Sequence, residues 1–146
     1  NHMNRRVARE LAMKVLFQWD LVLCRWENAL AYLAEEEQVP EAQHAFAEQL
    51  VRGVIENHEV LDEIIVRFAK DWRLERLAAV DRAILRIALY EILYRDDIPI
   101  RVSINEAVEL AKVYGTNDSS RFVNGLLGQY VREGLPEEVL ARKDSR

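Results

Sequence analysis

Apolar residues recur at helical spacing along most of the chain. Val7, Ala8, Leu11, Val15, Leu16 and Trp19 fall on one stripe and predict an amphipathic helix from Arg5 to about Leu23. A second helix is expected over about Trp26 to Glu36, ending in the polar run Glu35-Glu36-Glu37-Gln38. Pro40 suits the first turn of a third, whose buried face would carry Phe46, Leu50, Val51, Val54 and Ile55. Asn57-His58 marks a break, after which Val60, Leu61, Ile64, Ile65 and Phe68 continue on a fourth helix to about Lys70. The segment Asp71 to Leu77 then leads into the most hydrophobic stretch, about Ala78 to Tyr94. There Val80, Ile84, Leu85, Ile87, Ala88, Leu89, Ile92 and Leu93 leave little room for a solvated face. A helix apolar all round belongs in the centre of the fold.

Asp96-Asp97-Ile98-Pro99 stops that helix, and Ser103-Ile104-Asn105-Glu106 reads as a capping box opening the next, which runs to about Tyr114. Gly115 is expected as its left-handed C-terminal residue. Thr116 to Ser120 offers several caps for a last helix from about Ser120 to Arg132, closed by Gly134. The charged tail after Pro136 is expected to fray. About seven helices and no strand signal predict an all-α, single compact domain. The helical unit is expected to span 4–134, with 135–146 as a charged tail. Asn1-His2-Met3 looks like the remnant of an affinity tag and is set aside.

Composition narrows the class. Half of the 146 residues are hydrophobic, with only five Gly and three Pro, which favours long helices over a sandwich or barrel. No apolar run approaches the roughly 18 residues of a membrane span, and one cysteine, Cys24, leaves no intramolecular disulfide to form. A soluble, cytoplasmic protein is expected.

The net charge of −5 argues against a nucleic-acid partner only until its distribution is read. Residues 27–66 hold ten acidic groups and one basic, whereas 1–26 hold five basic and two acidic, and 67–95 seven basic and four acidic. The acidity belongs to one segment.

Catalytic chemistry is not expected. His44 and His58 lie far from Cys24 without metal-ligand spacing, and no phosphate loop, nucleophile elbow or dinucleotide fingerprint occurs. Asp96-Asp97 and Glu35-Glu36-Glu37 read as solvated turn and helix-end charges. No cofactor is implied.

Two features point instead to RNA. Arg5, Arg6 and Arg9, with Lys14 further along, would cover one arc of the first helix and could neutralise phosphates, although three arginines at a solvated helix start carry the same pattern. Basic groups there oppose the helix dipole, so stability does not account for them. The second feature is the turn Asn117-Asp118-Ser119-Ser120-Arg121-Phe122. A helix N-terminus favours phosphate, Phe122 or Tyr114 could stack a base, and Asp118 could accept from a base edge. The same residues could equally cap the helix and fill the core.

Three ordered blocks then carry a resemblance. Ala79 to Glu91, reading AVDRAILRIALYE, is followed by Ile98-Pro99 and by Ser103 to Lys112, SINEAVELAK, and finally by Asp118 to Gly125, DSSRFVNG. Together with Arg5-Arg6-Val7-Ala8-Arg9-Glu10 they closely resemble the bacterial NusB family over roughly residues 5–132, with 27–75 matched mainly by helical pattern. The resemblance implies an all-helical antitermination factor of ribosomal RNA operons, folded as two small helical bundles over about 5–70 and 72–133. Such a factor binds single-stranded boxA RNA together with NusE, a small-subunit ribosomal protein, and helps load a complex on RNA polymerase.

Carried over by position, Arg5, Arg6, Arg9, Lys14, Asp118, Ser119, Ser120, Arg121 and Phe122 would face RNA. Phe17, Gln18, Leu21, Asp81, Ile84 and Leu85 would meet the protein partner, with Asp81 standing where some members carry Glu. The first and central helices carry more apolar residues than a single stripe needs, which could equally serve the core, the protein partner or a homodimer masking the RNA surface. Two other readings compete: the RNA-binding domain found at the N-terminus of ribosomal RNA cytosine methyltransferases, for which 146 residues leave no cofactor domain, and a protein-binding module using the acidic segment.

Overall fold

The computed structural model describes residues 2–22, 25–70 and 74–144. Asn1 of the expected tag remnant, Leu23 and Cys24, Asp71 to Arg73 of the linking segment, and Ser145 and Arg146 of the tail lie outside the described residues. The fold is a single all-α domain of helices α1 (His2–Val22), α2 (Trp26–Glu36), α3 (Glu41–Glu56), α4 (His58–Phe68), α5 (Ala79–Tyr94), α6 (Ile100–Tyr114), α7 (Ser119–Glu133) and α8 (Glu137–Asp144). A 3-10 turn, Leu74–Arg76, precedes α5.

Helix α5 is the axis of the molecule. Twelve of its 16 residues are buried, and it packs against α1, α3, α4, α6 and α7. Gly53 lets α3 approach it, since a methyl group there would collide with the Tyr90 ring. The apolar core runs continuously from Leu11 and Leu16 of α1 through Leu50 and Val54 of α3 to Leu110, Val123 and Leu127. Burial on this scale is the main force holding helices with such modest intrinsic stability.

Four charged residues are nonetheless buried along α5, each tied to another element. Arg82 donates to Asp20 at 2.7 Å and to the carbonyls of Leu74 and Leu77. Arg86 makes a two-pronged bond to Asp62 at 2.7 and 3.0 Å and approaches Asp20 at 3.2 Å. Glu91 accepts from Arg9 at 2.7 and 3.1 Å and from the Ser103 hydroxyl at 2.7 Å. Asp81 is the fourth and belongs to the surface described below. Buried ions survive only when so engaged, and the pairs fix α1, α4 and α6 against the axis.

Three expectations for the C-terminal half give way. Helix α6 begins at Ile100, with Pro99 as its N-cap residue, so Ser103 and Glu106 lie inside the helix. Their side chains serve α5 and α1 rather than a capping box, because tertiary partners outcompete the local bonds. Gly115 is extended, at φ −92° and ψ −169°, rather than left-handed. A side chain there would strike Ser119 and the Ala111 carbonyl, so glycine answers to close approach. The segment after Pro136 is helical: Val139 is buried, and Lys143 donates to the carbonyls of Glu91, Arg95 and Ile98 at 3.2, 2.6 and 2.5 Å. A cation at those carbonyls complements the negative end of α5.

Candidate nucleic-acid interface

The basic residues of α1 diverge more than one arc allows. Arg5 reaches the turn between α5 and α6, where it pairs with Asp97 at 3.2 Å and lies 4.4 Å over the Phe46 ring. Arg6 is exposed and turns toward α6, gripping Glu106 through two bonds of 2.9 and 2.8 Å. Hydrogen bonding to Glu106 holds the Arg6 guanidinium even more firmly protonated than usual. Lys14 bonds Glu37 at 2.8 Å, which raises its pKa, and sits 5.7 Å from the Tyr114 ring.

Arg9 corrects the expectation for the cluster. It is 2% exposed and its guanidinium faces inward to Glu91, so it presents no charge to a ligand. Helical spacing explains this: Arg9 shares a face with Ala12 and Met13, one turn along, and both are buried. The three outward-facing cations, Arg5, Arg6 and Lys14, each hold a carboxylate from another element where a phosphate would sit.

The turn between α6 and α7 continues the same side of the molecule. Tyr114, the last residue of α6, donates to Glu10 of α1 at 3.1 Å and stands beside Lys14, so the basic face of α1 runs into the turn. Asp118 is exposed and makes no side-chain cap bond; it is the buried Ser119 whose hydroxyl accepts from the Thr116 N–H at 2.9 Å. Ser119 therefore holds the turn rather than facing outward. Ser120 is half-buried, Arg121 is exposed without an ion pair among the described residues, and Phe122 is half-buried against the core.

Phe122 also lines a cavity of about 320 Å³ with Arg76, Leu77, Asp81, Thr116 and Asp118. The resemblance puts Asp81 at the protein-partner surface, and the structure sets it against the turn that the resemblance assigns to RNA. Its carboxylate is buried, one oxygen has no hydrogen-bond partner, and burial pushes its pKa up against a bond from Ser119 that lowers it. The oxygen left without a partner would gain from a donor brought to it by a ligand in the cavity. Exposed Arg76 at its rim is absent from the sequence-based expectation; only the fold brings the turn before α5 to Phe122.

Of the other expected partner residues, Gln18 and Leu21 are exposed and Phe17 is half-buried on α1, leaving Leu21 and Val22 as an apolar end 53% and 68% open. Ile84 and Leu85 are fully buried on α5 and offer nothing to a partner. Their partner role follows from the resemblance alone, whereas the apolar run of α5 already argues for the core. Among the described residues no group of His, Cys, Asp and Glu could hold a metal ion, and no helix is long and apolar enough to cross a membrane.

The model of the family described as "NusB family" matches residues 6–132. A transcription antitermination protein NusB from Desulforudis audaxviator is 51% identical over 136 residues, covering 93% of this chain and 97% of that one. The match to the longer NusB of Heliobacterium modesticaldum is 49% identical and spans 90% of this chain and 64% of that protein. Among solved structures, T. maritima NusB superposes with a TM-score of 0.84 at 39% identity, covering 94% of this chain and 96% of the other. The fold is shared as well, at a TM-score of 0.79 and 24% identity over 99% and 98% of the two chains, by a protein solved as antitermination factors NusB and NusE in complex with double-stranded RNA.

Proposed function

The chain belongs to the NusB family of transcription antitermination proteins, and on that premise we propose that it binds boxA-type single-stranded RNA jointly with NusE and delivers the pair to transcribing RNA polymerase in the cytoplasm. It acts by binding, without turnover. The observation that carries this reading is the continuity of the exposed face from Arg6 and Lys14, past Tyr114, to Asp118, Arg121 and the Phe122 cavity. Cations along one edge attract the backbone, while an aromatic wall and an acceptor-rich cavity suit an unstacked base.

Each α1 cation must exchange its carboxylate for a phosphate, so affinity for RNA alone is modest and salt-sensitive. NusE, seated beside Phe17, Gln18, Leu21 and Asp81, extends the RNA surface and supplies the remainder. Arg5, Arg6, Lys14 and Arg121 meet phosphates in this proposal; Asp118 and Phe122 address a base. A homodimer covering this face would compete with both partners.

Fluorescence anisotropy with a boxA-like oligonucleotide and a scrambled control tests the reading. The expected result is preference for the boxA-like strand. The slope of log affinity against log salt should shrink by about 1.4 when Arg6 and Arg121 are both changed to Ala, at about 0.7 for each single-strand phosphate left without its cation. Equal binding of the two oligonucleotides, or an unchanged slope, overturns it.

A further inference from the structure

A second cavity, of about 350 Å³, opens beside Arg5, between α1, α3 and the α5–α6 connection. Its walls are Arg5, Gln43, Phe46, Gln49 and Arg95. The Arg5 and Arg95 guanidinium groups lie 4.4 and 5.1 Å from the centre of the Phe46 ring, and Asp97 holds both, through bonds of 3.2 Å to Arg5 and of 3.0 and 3.1 Å to Arg95. Two cations share one carboxylate, so the cavity keeps a net positive charge. Helix α3 belongs to the acidic segment, yet what it contributes here is neutral.

Two amides in the wall have capacity to spare. The side-chain oxygen of Gln43 is out of reach of water and has no hydrogen-bond partner. Gln49 gives its oxygen to Arg95 at 2.8 Å, which leaves its amino group pointing away from that bond. A buried acceptor without a donor is uncommon, and a turn of the Gln43 amide toward the cavity would let an occupant supply one. An inorganic anion meets the need poorly, because sulfate brings no donor for Gln43 and a hydrogen phosphate brings no planar face for the guanidinium groups. A nucleobase meets it: its Watson–Crick edge carries donors and acceptors side by side, its face suits the guanidinium planes stacked on Phe46, and its phosphate suits Arg5.

We propose that this cavity is a nucleotide subsite that takes one unpaired residue of the bound RNA beyond the stretch held by α1 and the α6–α7 turn, with Gln43 and Gln49 reading the base edge. The inference rests on the RNA-binding function proposed above, since Arg5 is common to the two surfaces. About 350 Å³ lies within the usual size range of small-ligand pockets. Asp97 keeps the guanidinium groups positioned while the subsite is empty.

The test compares a boxA-like core oligonucleotide with the same core extended by two unpaired nucleotides at either end, against the unmodified protein and a Gln43→Met, Gln49→Met variant whose thermal midpoint is checked to be unchanged. One of the two extensions should raise affinity about tenfold, within the range one stacked base contributes. The variant should lack that gain while binding the core as before, and a photoreactive uridine in the extension should crosslink to the 42–49 peptide. If the core binds but neither extension adds affinity, or the variant keeps the gain, the subsite is overturned and the RNA function stands. If the core itself fails to bind, the function falls and the subsite with it.

Discussion

Arg9 and Arg6 stand three residues apart in one basic cluster, yet they do opposite work. Removing Arg9 strips Glu91 of its cation inside the core, at a cost of about 3–5 kcal/mol for a buried pair, whereas Arg6 is half exposed and reaches inward to a buried Glu106. Arg9→Ala should therefore lower the unfolding midpoint in urea sharply, and Arg6→Ala should lower it clearly less while weakening RNA binding. The opposite pattern would put Arg9 back on the surface. The sequence does hold a clue: a lone Glu91 on a helix with no solvated face requires a buried cation. What it lacks is the element supplying it, since the pair spans 82 positions.

Asp97 offers a second check at this scale. Hydrogen bonds from Arg95, reinforced by Arg5, hold its pKa at about 2, below the roughly 3.9 of an unfolded aspartate. A depressed carboxylate lends stability that is present above the unfolded value and is lost as pH falls toward the folded one. Denaturation followed from pH 5 to pH 2 should show the unmodified protein shedding its advantage over Asp97→Asn across that interval. Parallel curves would mean the arginines do not favour the ionised form.

Among the elements, α1 to α5 and α7 are legible in the sequence because each carries an apolar stripe of the right period, and their ends fall within a few residues of the expected places. Helix α8 is not. Its eight residues include only Val139 as a buried apolar anchor, and the remainder reads as a charged tail. What orders it is distant: Arg142 bonds Asp96 at 3.0 Å, and Lys143 caps the carbonyls at the end of α5. The misplaced start of α6 has the same origin, since Ser103 and Glu106 fit a local motif but are claimed by Glu91 and Arg6. Lys143→Met should cost about 2 kcal/mol, the scale of hydrogen bonds from a charged donor, measured by chemical denaturation. A neutral substitution would show that α8 packs without the cap.

Across the whole molecule, the net charge of −5 conceals a division of labour. The acidic stretch occupies α2 to α4, while the cations of α1 and Arg121 border the face proposed for RNA. Acidic groups still intrude there, because Asp97, Glu106 and Glu37 each occupy a cation of α1. That arrangement is invisible in sequence: every pair joins residues at least 23 positions apart. On the function proposed above, such a surface should bind RNA weakly alone and better once a partner enlarges it.

The most direct measurement is therefore the affinity of the protein for a boxA-like RNA, titrated with and without saturating NusE at moderate salt. Binding should be tighter with the partner present, by at least about tenfold, and by linkage the partner should gain the same factor when RNA is present. Equal RNA affinity in both titrations, or no binding in either, would contradict it.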